Sequence, residues 1–418
     1  MQNLNVYLVG GAVRDSLLGL PIKERDWVVV GATEQQMISL GFIKVGKDFP
    51  VFLHPDTKEE YALARRERKI AKGYYGFTCD FSPDVTLEED LLRRDLTINA
   101  MAQNSAGDII DPYAGNADLN NRIFRHVSPS FNEDPLRILR LARFAARYKY
   151  LGFMVAAETT QLMRQIVDAN EIDALVPERV WKEFVLALGE KNPESFIEVL
   201  RSCGALKVIF PALDMLWGIP QTREYHPEID TGVHIMMALQ QACKISTNTK
   251  VRFAVLCHDL GKGRTKEQDW PSHKGHEELG IDPILAWCNK YRVPNAYREL
   301  AIMTSKYHLN IHRVLELKPK TVLKILTNTD AWRKEDRFLN LLLACKADAT
   351  GRLGSEDNPY PQEEYFKQAI KAVKVLNIPK LIQGETDAKI LVEKIQHARL
   401  AVLTQFKQEY LNKGKFFV

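Results

Sequence analysis

The sequence predicts a multidomain α+β protein: an α/β head with a mixed sheet over residues 1–115, followed by an all-helical remainder. Three observations predict it. Short β-rich runs gather in the head and almost vanish after Asn132. Beyond that point apolar residues recur at spacings of three and four, the period of a helix buried on one face. Prolines at 177, 193, 211, 220, 227, 271, 294, 319, 359 and 379 then divide the remainder into helices. A length of 418 residues suits about three domains. With 45% hydrophobic and 26% charged residues, the composition excludes a disordered chain.

In chain order, strands are expected at Val6–Val9, Trp27–Val30, Val51–His54 and Tyr61–Ala64. Pro55-Asp56-Thr57-Lys58 lies between the last two, so a hairpin is expected there. Gly10-Gly11 ends the first strand, and a helix is expected from about Ala12. Boundaries are expected near Asp111–Gly115 and in the Pro- and Gly-containing stretch Trp217–Pro227. No internal period suggests a solenoid.

Charge narrows the function classes. Lys+Arg is 57 and Asp+Glu 53, a net +4, so a basic surface must be a local cluster. No apolar run is long enough for a membrane helix, and MQNLNVYLVGG lacks the basic start of a signal peptide. The six cysteines are scattered without a CxxC pair and read as reduced packing residues. A soluble cytoplasmic protein is expected, with no membrane partner.

Four patterns carry chemistry. In LNVYLVGGAVRDSLLG, the glycines let backbone approach an anion, amides open outward at the helix start, and Arg14 is within reach. A lone Gly-Gly also serves as a plain strand–helix turn. In IKERDWVVVG, Glu24 and Asp26 are two apart at a strand start, so both point to one side. Paired carboxylates beside phosphate oxygens suit Mg²⁺, although a charged loop would read the same. Arg93, Arg94, Asp95, Thr97 and Asn99 crowd donors and acceptors into RRDLTINA. In EDPLRILRLARFAAR, Arg137, Arg140, Arg143 and Arg147 fall along one helical stripe, offset locally only by Glu133 and Asp134. A triphosphate or RNA backbone would relieve that repulsion, as would snorkelling into solvent.

Together VGGAVRDSLLG, ERDW, RRDLTINAM, IIDPYAG and EDPLRILRLARFAAR closely resemble the class II tRNA nucleotidyltransferases, the CCA-adding enzymes of the polymerase β-like superfamily. The likeness is specific through Arg147 and extends more weakly to VPERVWKE. It implies that Gly11 and Arg14 hold the triphosphate and that Glu24 and Asp26 carry catalytic Mg²⁺. The family pattern there is Asp-x-Asp, so Glu24 is a variant with one more methylene. Arg94 and Asp95 would face the ribose, Asp134 and Arg137 the incoming base, and Arg140 and Arg143 base or phosphate. Glu60 is a weaker candidate for a third carboxylate. Arg offers only donors and ionised Asp only acceptors. The pair therefore satisfies the ring acceptor and amine of cytosine or adenine. Uracil and guanine would leave buried groups unpaired, at roughly 1–3 kcal/mol each. The implied reaction is attack of the tRNA 3′-hydroxyl on CTP, CTP again and then ATP, with pyrophosphate leaving.

Six of the ten histidines fall between positions 234 and 312, and CHDLGKGR contains the adjacent His258 and Asp259. Imidazoles with a carboxylate suit a transition metal such as Ni²⁺, Mn²⁺ or Zn²⁺. HDLGKG resembles the all-helical HD-type metal phosphohydrolases, which some bacterial CCA-adding enzymes carry at this place, with phosphatase and 2′,3′-cyclic phosphodiesterase activity. The resemblance makes His234, His258, Asp259 and His308 candidate ligands of Ni²⁺ or another transition metal. Leu309 stands after His308 in place of an acid, and His273 and His312 read as ordinary surface or core histidines of a helical domain.

The expected organisation is a nucleotidyltransferase head (1–115), a helical neck and body for base selection and RNA binding (116–226), an HD-type domain (227–332) and a helical tail (333–418). Expected partners are tRNA, ATP and CTP, with the chain a monomer or homodimer. The nearest alternative is a bacterial poly(A) polymerase, which shares the head motifs. That family lacks the HD-type region and usually ends in a strongly basic tail, whereas LTQFKQEYLNKGKFFV is mildly basic.

Overall fold

A computed structural model describes residues 4–45, 51–69 and 77–414. The chain divides into two compact units after Ile209.

In the first unit the strands are β1 (Asn5–Val9), β2 (Asp26–Val30), β3 (Ile43–Lys44), β4 (Val51–Leu53), β5 (Glu60–Leu63), β6 (Arg66–Lys69), β7 (Phe77–Asp80), β8 (Ala102–Gln103) and β9 (Ile109–Ile110). Among the described residues, seven of them form a sheet in the order β3-β4-β5-β2-β1-β8-β9. β2 and β5 run parallel and the other neighbours antiparallel, so the sheet is mixed as expected. β6 and β7 make a separate ribbon. The sheet has apolar layers on both faces, as alternation along β2 requires. Val28 packs with Val9, Ala64 and Leu91 on one side, while Val29 packs with Met37, Phe42 and Phe52 on the other.

The four expected strands form within one residue of their expected ends, and the Pro55–Lys58 stretch turns β4 into antiparallel β5. The His54 ring fastens that turn, its Nδ1 accepting from the amides of Asp56 and Thr57. The two-residue strands β3, β8 and β9 were not expected. Two residues are too few to show an alternation.

Helix α1 spans Gly11–Leu17 and α2 spans Leu87–Leu92. A reciprocal capping box between Thr86 and Glu89 starts α2. The arginine-bearing helix α3 (Leu136–Tyr148) buries its Leu, Ile and Phe face and packs on α4 (Pro177–Gly189) and α5 (Glu194–Ser202). A short parallel pairing of Ile123–Phe124 with Met154–Val155 interrupts the helical region.

The second unit contains α6 (Thr231–Ile245), α7 (Thr249–Cys257), α8 (His276–Leu279), α9 (Asn295–His312), α10 (Glu335–Thr350), α11 (Pro361–Lys374) and α12 (Ala388–Gly414). One core joins Ala238 and Ala242 of α6, Val255 of α7, Leu300 of α9, Leu341 and Cys345 of α10, Phe366 of α11 and Leu403 of α12. Because α10 packs against α6, α7 and α9, the expected boundary at residue 332 falls ahead of a helix that belongs with the histidine-bearing ones. No helix among the described residues is long and apolar enough to cross a membrane.

Candidate functional site

The head site grows from the register of the sheet. Asp26 opens β2 opposite Val9, the residue before the Gly10-Gly11 turn, and opposite Glu60 on the other side. Register partners share a face, so the Asp26 and Glu60 side chains lie side by side. Glu24 precedes the strand in a segment without regular secondary structure, yet it lines the same cleft of about 560 Å³ as Asp26, Glu59 and Glu60. Ile22, Lys23, Arg25, Thr57 and Lys58 complete that lining. Partial withdrawal from water raises the Asp26 pKa, Glu24 adds to the rise, and the charges of Arg94 and Arg140 oppose it. Glu24 and Asp26 are thus close enough to feel each other, in the field of two of the expected arginines.

The glycine turn is built as a close approach. Gly10 has φ 68°, and a Cβ there would stand 2.9 Å from Arg94 Nη1. Arg14, expected to reach toward a phosphate, is instead buried. Its Nε and Nη2 donate to Asp15 Oδ1 at 2.9 Å and its Nη1 to Asn99 Oδ1 at 2.5 Å. The Phe144 and Tyr148 rings flank it at 5.0 Å. Arg14 therefore fastens the turn to the 95–99 segment, and Gly11 remains at the surface of that turn.

The arginine stripe differs from its expectation in a second way. Its charges are offset by acids from distant elements rather than by Glu133 and Asp134 alone. Arg140 donates through Nε and Nη2 to Asp95 Oδ2, both at 2.9 Å. Arg143 Nε meets Glu183 Oε2 at 2.6 Å, and Arg147 Nη2 meets Asp15 Oδ2 at 3.2 Å. Burial works against ionised Asp95, but Arg140, Asn99 and Arg137 together hold its pKa well below the carboxylate range. Asp90, fully buried, takes Arg93 Nη2 at 2.6 Å and Arg94 Nη2 at 3.1 Å. Against the effect of burial, those two arginines bring it down to about 2.

The structure does not bring Asp134 and Arg137 together as one open edge. Asp134 Oδ1 accepts from Leu136 N and Oδ2 from Arg179 Nη2, each at 3.0 Å. Arg137 is buried, with Nη1 on the Ser130 carbonyl at 2.8 Å and Nη2 on the Arg93 carbonyl at 2.6 Å. Arg179 was not singled out in the sequence. Its signal was the VPERVWKE segment, where it follows Glu178 in the first turn of α4.

In the second unit, His234 on α6, His258 after α7 and Asp259 meet at a buried centre with His308 of α9. Four residues join them that were not chosen as ligands: His276 of α8, Asp348 of α10 and, around His234, His226 and Glu228. The described residues form three clusters with metal-ligand spacing: His234, His258 and Asp348; Asp259, His276 and His308; and His226, Glu228 and His234. The acid missing after His308 thus comes from Asp348, 40 positions later in the chain. His312 is not a member of these clusters, but its Nε2 holds Asp348 Oδ2 at 2.7 Å, which orients the other oxygen inward. Burial opposes charge on His258, yet Asp259 and Asp348 lift it to about 9, so the pocket attracts positive charge. Lys262 Nζ meets Asp259 Oδ2 at 2.6 Å.

Three family models match the chain: Poly A polymerase head domain over residues 6–125, Probable RNA and SrmB- binding site of polymerase A over 152–216, and HD domain over 231–353. The multifunctional CCA protein of Thioalkalivibrio sulfidiphilus is 57% identical over 407 residues, 97% of this chain and all of that one. The chain belongs to the multifunctional CCA protein family. Two solved structures share the fold at 20% identity. One is a Thermotoga maritima CCA-adding enzyme complexed with tRNA, at TM-score 0.63, covering 99% of this chain and 92% of that one. The other is a CCA-adding enzyme with ATP, at TM-score 0.66, covering 98% and 90%. The family's nucleotidyltransferase head, helical body and HD domain are the architecture described above.

Proposed function

We propose that this chain builds and repairs the 3′-terminal CCA of tRNA from CTP and ATP, releasing pyrophosphate. We further propose that its second unit is a metal-dependent phosphatase and 2′,3′-cyclic phosphodiesterase. The observation that carries the first reading is the register that sets Asp26 between the Gly10-Gly11 turn and Glu60. Full-length likeness to a multifunctional CCA protein supports it, as does the RNA-binding model over residues 152–216.

The acidic cleft fits a hard cation, since its donors are carboxylate oxygens. Glu24 and Asp26, with Glu60 beside them, would hold Mg²⁺. When bound, the ion supplies charge stabilisation at the phosphoryl oxygens and a more acidic 3′-hydroxyl. The chain's own residues do the rest. The Gly10-Gly11 turn lets backbone lie against the triphosphate, and Arg14 keeps that turn in place. Arg94 and Arg140 provide positive potential, and Arg94 with Asp95 faces the ribose. Asp134 and Arg137 select the base. This role requires Arg137 to exchange the Ser130 and Arg93 carbonyls, and Asp134 to exchange Arg179, for the base edge. Arg143 contributes from the next turn of α3. A protein that builds tRNA ends would act in the cytoplasm.

In the second unit, His234 and His258, joined by Asp348 and with Asp259 and His308 beside them, would hold Ni²⁺ or a similar ion; mixed imidazole and carboxylate donors fit one. The decisive experiment is sequencing the 3′ ends of truncated tRNA after incubation with all four NTPs. Addition that stops at CCA supports the reading. Repeated AMP addition without CTP would assign the head to poly(A) synthesis instead. Phosphate release with added Ni²⁺ tests the second unit, and equal rates in wild type and His258→Ala would remove that activity.

A further inference from the structure

We propose that Tyr360 and His312 form a hydrogen-bonded chain that positions the Asp348 carboxylate, so that the segment leading into α11 completes the histidine centre. The inference rests on reading the second unit as a metal phosphohydrolase. It deepens that reading by two positioning residues, one of which lies beyond the HD domain match that ends at residue 353.

Chemistry fixes the direction of the chain. A carboxylate can only accept, so His312 Nε2, 2.7 Å from Asp348 Oδ2, carries a proton and donates it. In the neutral ring the lone pair is then at Nδ1, where the Tyr360 hydroxyl stands 2.9 Å away and donates. Burial pushes the Tyr360 pKa well above its usual value, so the phenol keeps its proton. The two rings meet edge to face with centroids 5.8 Å apart. Gln362 Nε2 donates to the His312 carbonyl at 2.9 Å, a second hold on the same residue. Tyr360 directly precedes α11 and Gln362 lies in its first turn, so both arrive with that helix. His312 in turn stands four residues after His308 on α9, on the same face one turn further on.

Asp348 has reason to be held. It is 2% exposed, and its Oδ1 faces His234 Nε2 at 3.1 Å and His258 Nε2 at 3.6 Å. The two oxygens of a carboxylate turn together, so fixing Oδ2 fixes where Oδ1 points. Arg352 Nη2 is 3.6 Å from Oδ1, beyond hydrogen-bond reach. The His312 contact is therefore shorter than those of His234, His258 and Arg352. Partners behind a metal-binding group set its orientation, and their loss costs about 10–100-fold in metal affinity or activity.

The test is a double-mutant cycle on the full chain, with Glu24→Ala and Asp26→Ala as the background so that the head contributes no ion. Tyr360→Phe removes the hydroxyl alone, and His312→Leu breaks the chain at its middle, with His312→Gln as a second break. Ni²⁺ affinity is read by isothermal titration calorimetry. Turnover of bis-p-nitrophenyl phosphate at saturating Ni²⁺ gives kcat and KM. Tyr360→Phe is expected to weaken Ni²⁺ binding about tenfold and to lower kcat while KM stays within about twofold. With His312 already replaced, Tyr360→Phe should cost nothing more, because residues acting through one contact are not additive. Unchanged Ni²⁺ affinity in Tyr360→Phe, including a loss confined to melting temperature, would overturn the positioning role. An equal loss in both backgrounds would overturn the route through His312. In either case a parent chain that binds Ni²⁺ and hydrolyses the ester leaves the HD-type reading standing. A parent that does neither would overturn that reading and this inference with it.

Discussion

Helix α3 of the first unit and the histidine centre of the second treat buried charge in opposite ways. Along α3 the cations look uncompensated in the sequence, yet the fold brings three of the four an acid: Asp95 to Arg140, Glu183 to Arg143 and Asp15 to Arg147. In the second unit the histidines look dispersed, yet the fold gathers their ring nitrogens around Asp259 and Asp348. The first arrangement matches its charges within the chain, while the second converges imidazoles and carboxylates at metal-ligand spacing. A charge-rich motif can therefore be scaffold, while an unremarkable scatter of polar residues can be the binding centre.

The strongest challenge to this contrast comes from the acidic cleft of the head, where Glu24, Asp26, Glu59 and Glu60 gather. Asp26→Ala is expected to lower nucleotide incorporation into truncated tRNA by about 10³-fold, in line with losing several kcal/mol of transition-state charge stabilisation. Its melting temperature should stay near wild type, because Asp26 is an exposed side chain. Near-normal incorporation in a single-turnover assay would move the chemistry elsewhere.

Chelation sharpens the comparison next. An ion bound only by the folded state contributes RT ln(1 + [L]/Kd), about 4 kcal/mol at a thousandfold excess over Kd. Stripping metal should lower the second unit's calorimetric transition by several degrees and leave the first unit's unchanged. A drop confined to the first unit would mean that the head, and not the histidine centre, relies on a bound cation for its stability.

Acid should distinguish the arginine-matched carboxylates. Asp90 has a folded pKa of about 2 against 3.8 when unperturbed. A depressed carboxylate stabilises the fold above its unfolded pKa, and that contribution is lost as pH falls through the folded value. The window is therefore pH 4 to 2, and the amount is on the order of 2 kcal/mol. Asp90→Asn should lose stability at pH 7 and show a flatter decline over that window in urea titrations. An unchanged decline would mean that Arg93 and Arg94 do not stabilise the ionised group.

The smallest effect belongs to Tyr148→Phe. Its hydroxyl donates to Asp15 Oδ1 at 2.6 Å beside Arg14 and Arg147, so the loss should be about 1–2 kcal/mol of head stability. Denaturant midpoints measure it. No loss would mean that the two arginines satisfy Asp15 by themselves.

Local pattern alone made much of the molecule legible. The strands at Val6–Val9 and Trp27–Val30 carry dense apolar runs, and the turn at Pro55–Lys58 carries its own chemistry, so both were readable without a fold. The pairing of Asp26 with Val9 and Glu60 was not, because register depends on which strands become neighbours. Arg14 and Arg137 were visible as candidates, but their enclosure by Asp15, Asn99 and two carbonyls arises from segments far along the chain. Asp348 and His276 sit in unremarkable helical sequence and reach metal-ligand spacing with the other residues only through the packing of the helices.

By itself, the sequence determined the division into a mixed-sheet head and a helical remainder, the glycine turn, the acid pair and the His258–Asp259 step. Each of these is written in neighbouring residues, through period, turn chemistry or a short spacing. Tertiary structure decided which charges are matched and which donors converge. Those outcomes depend on distances between residues separated by tens of positions, and only the packing of the helices and the register of the sheet set them.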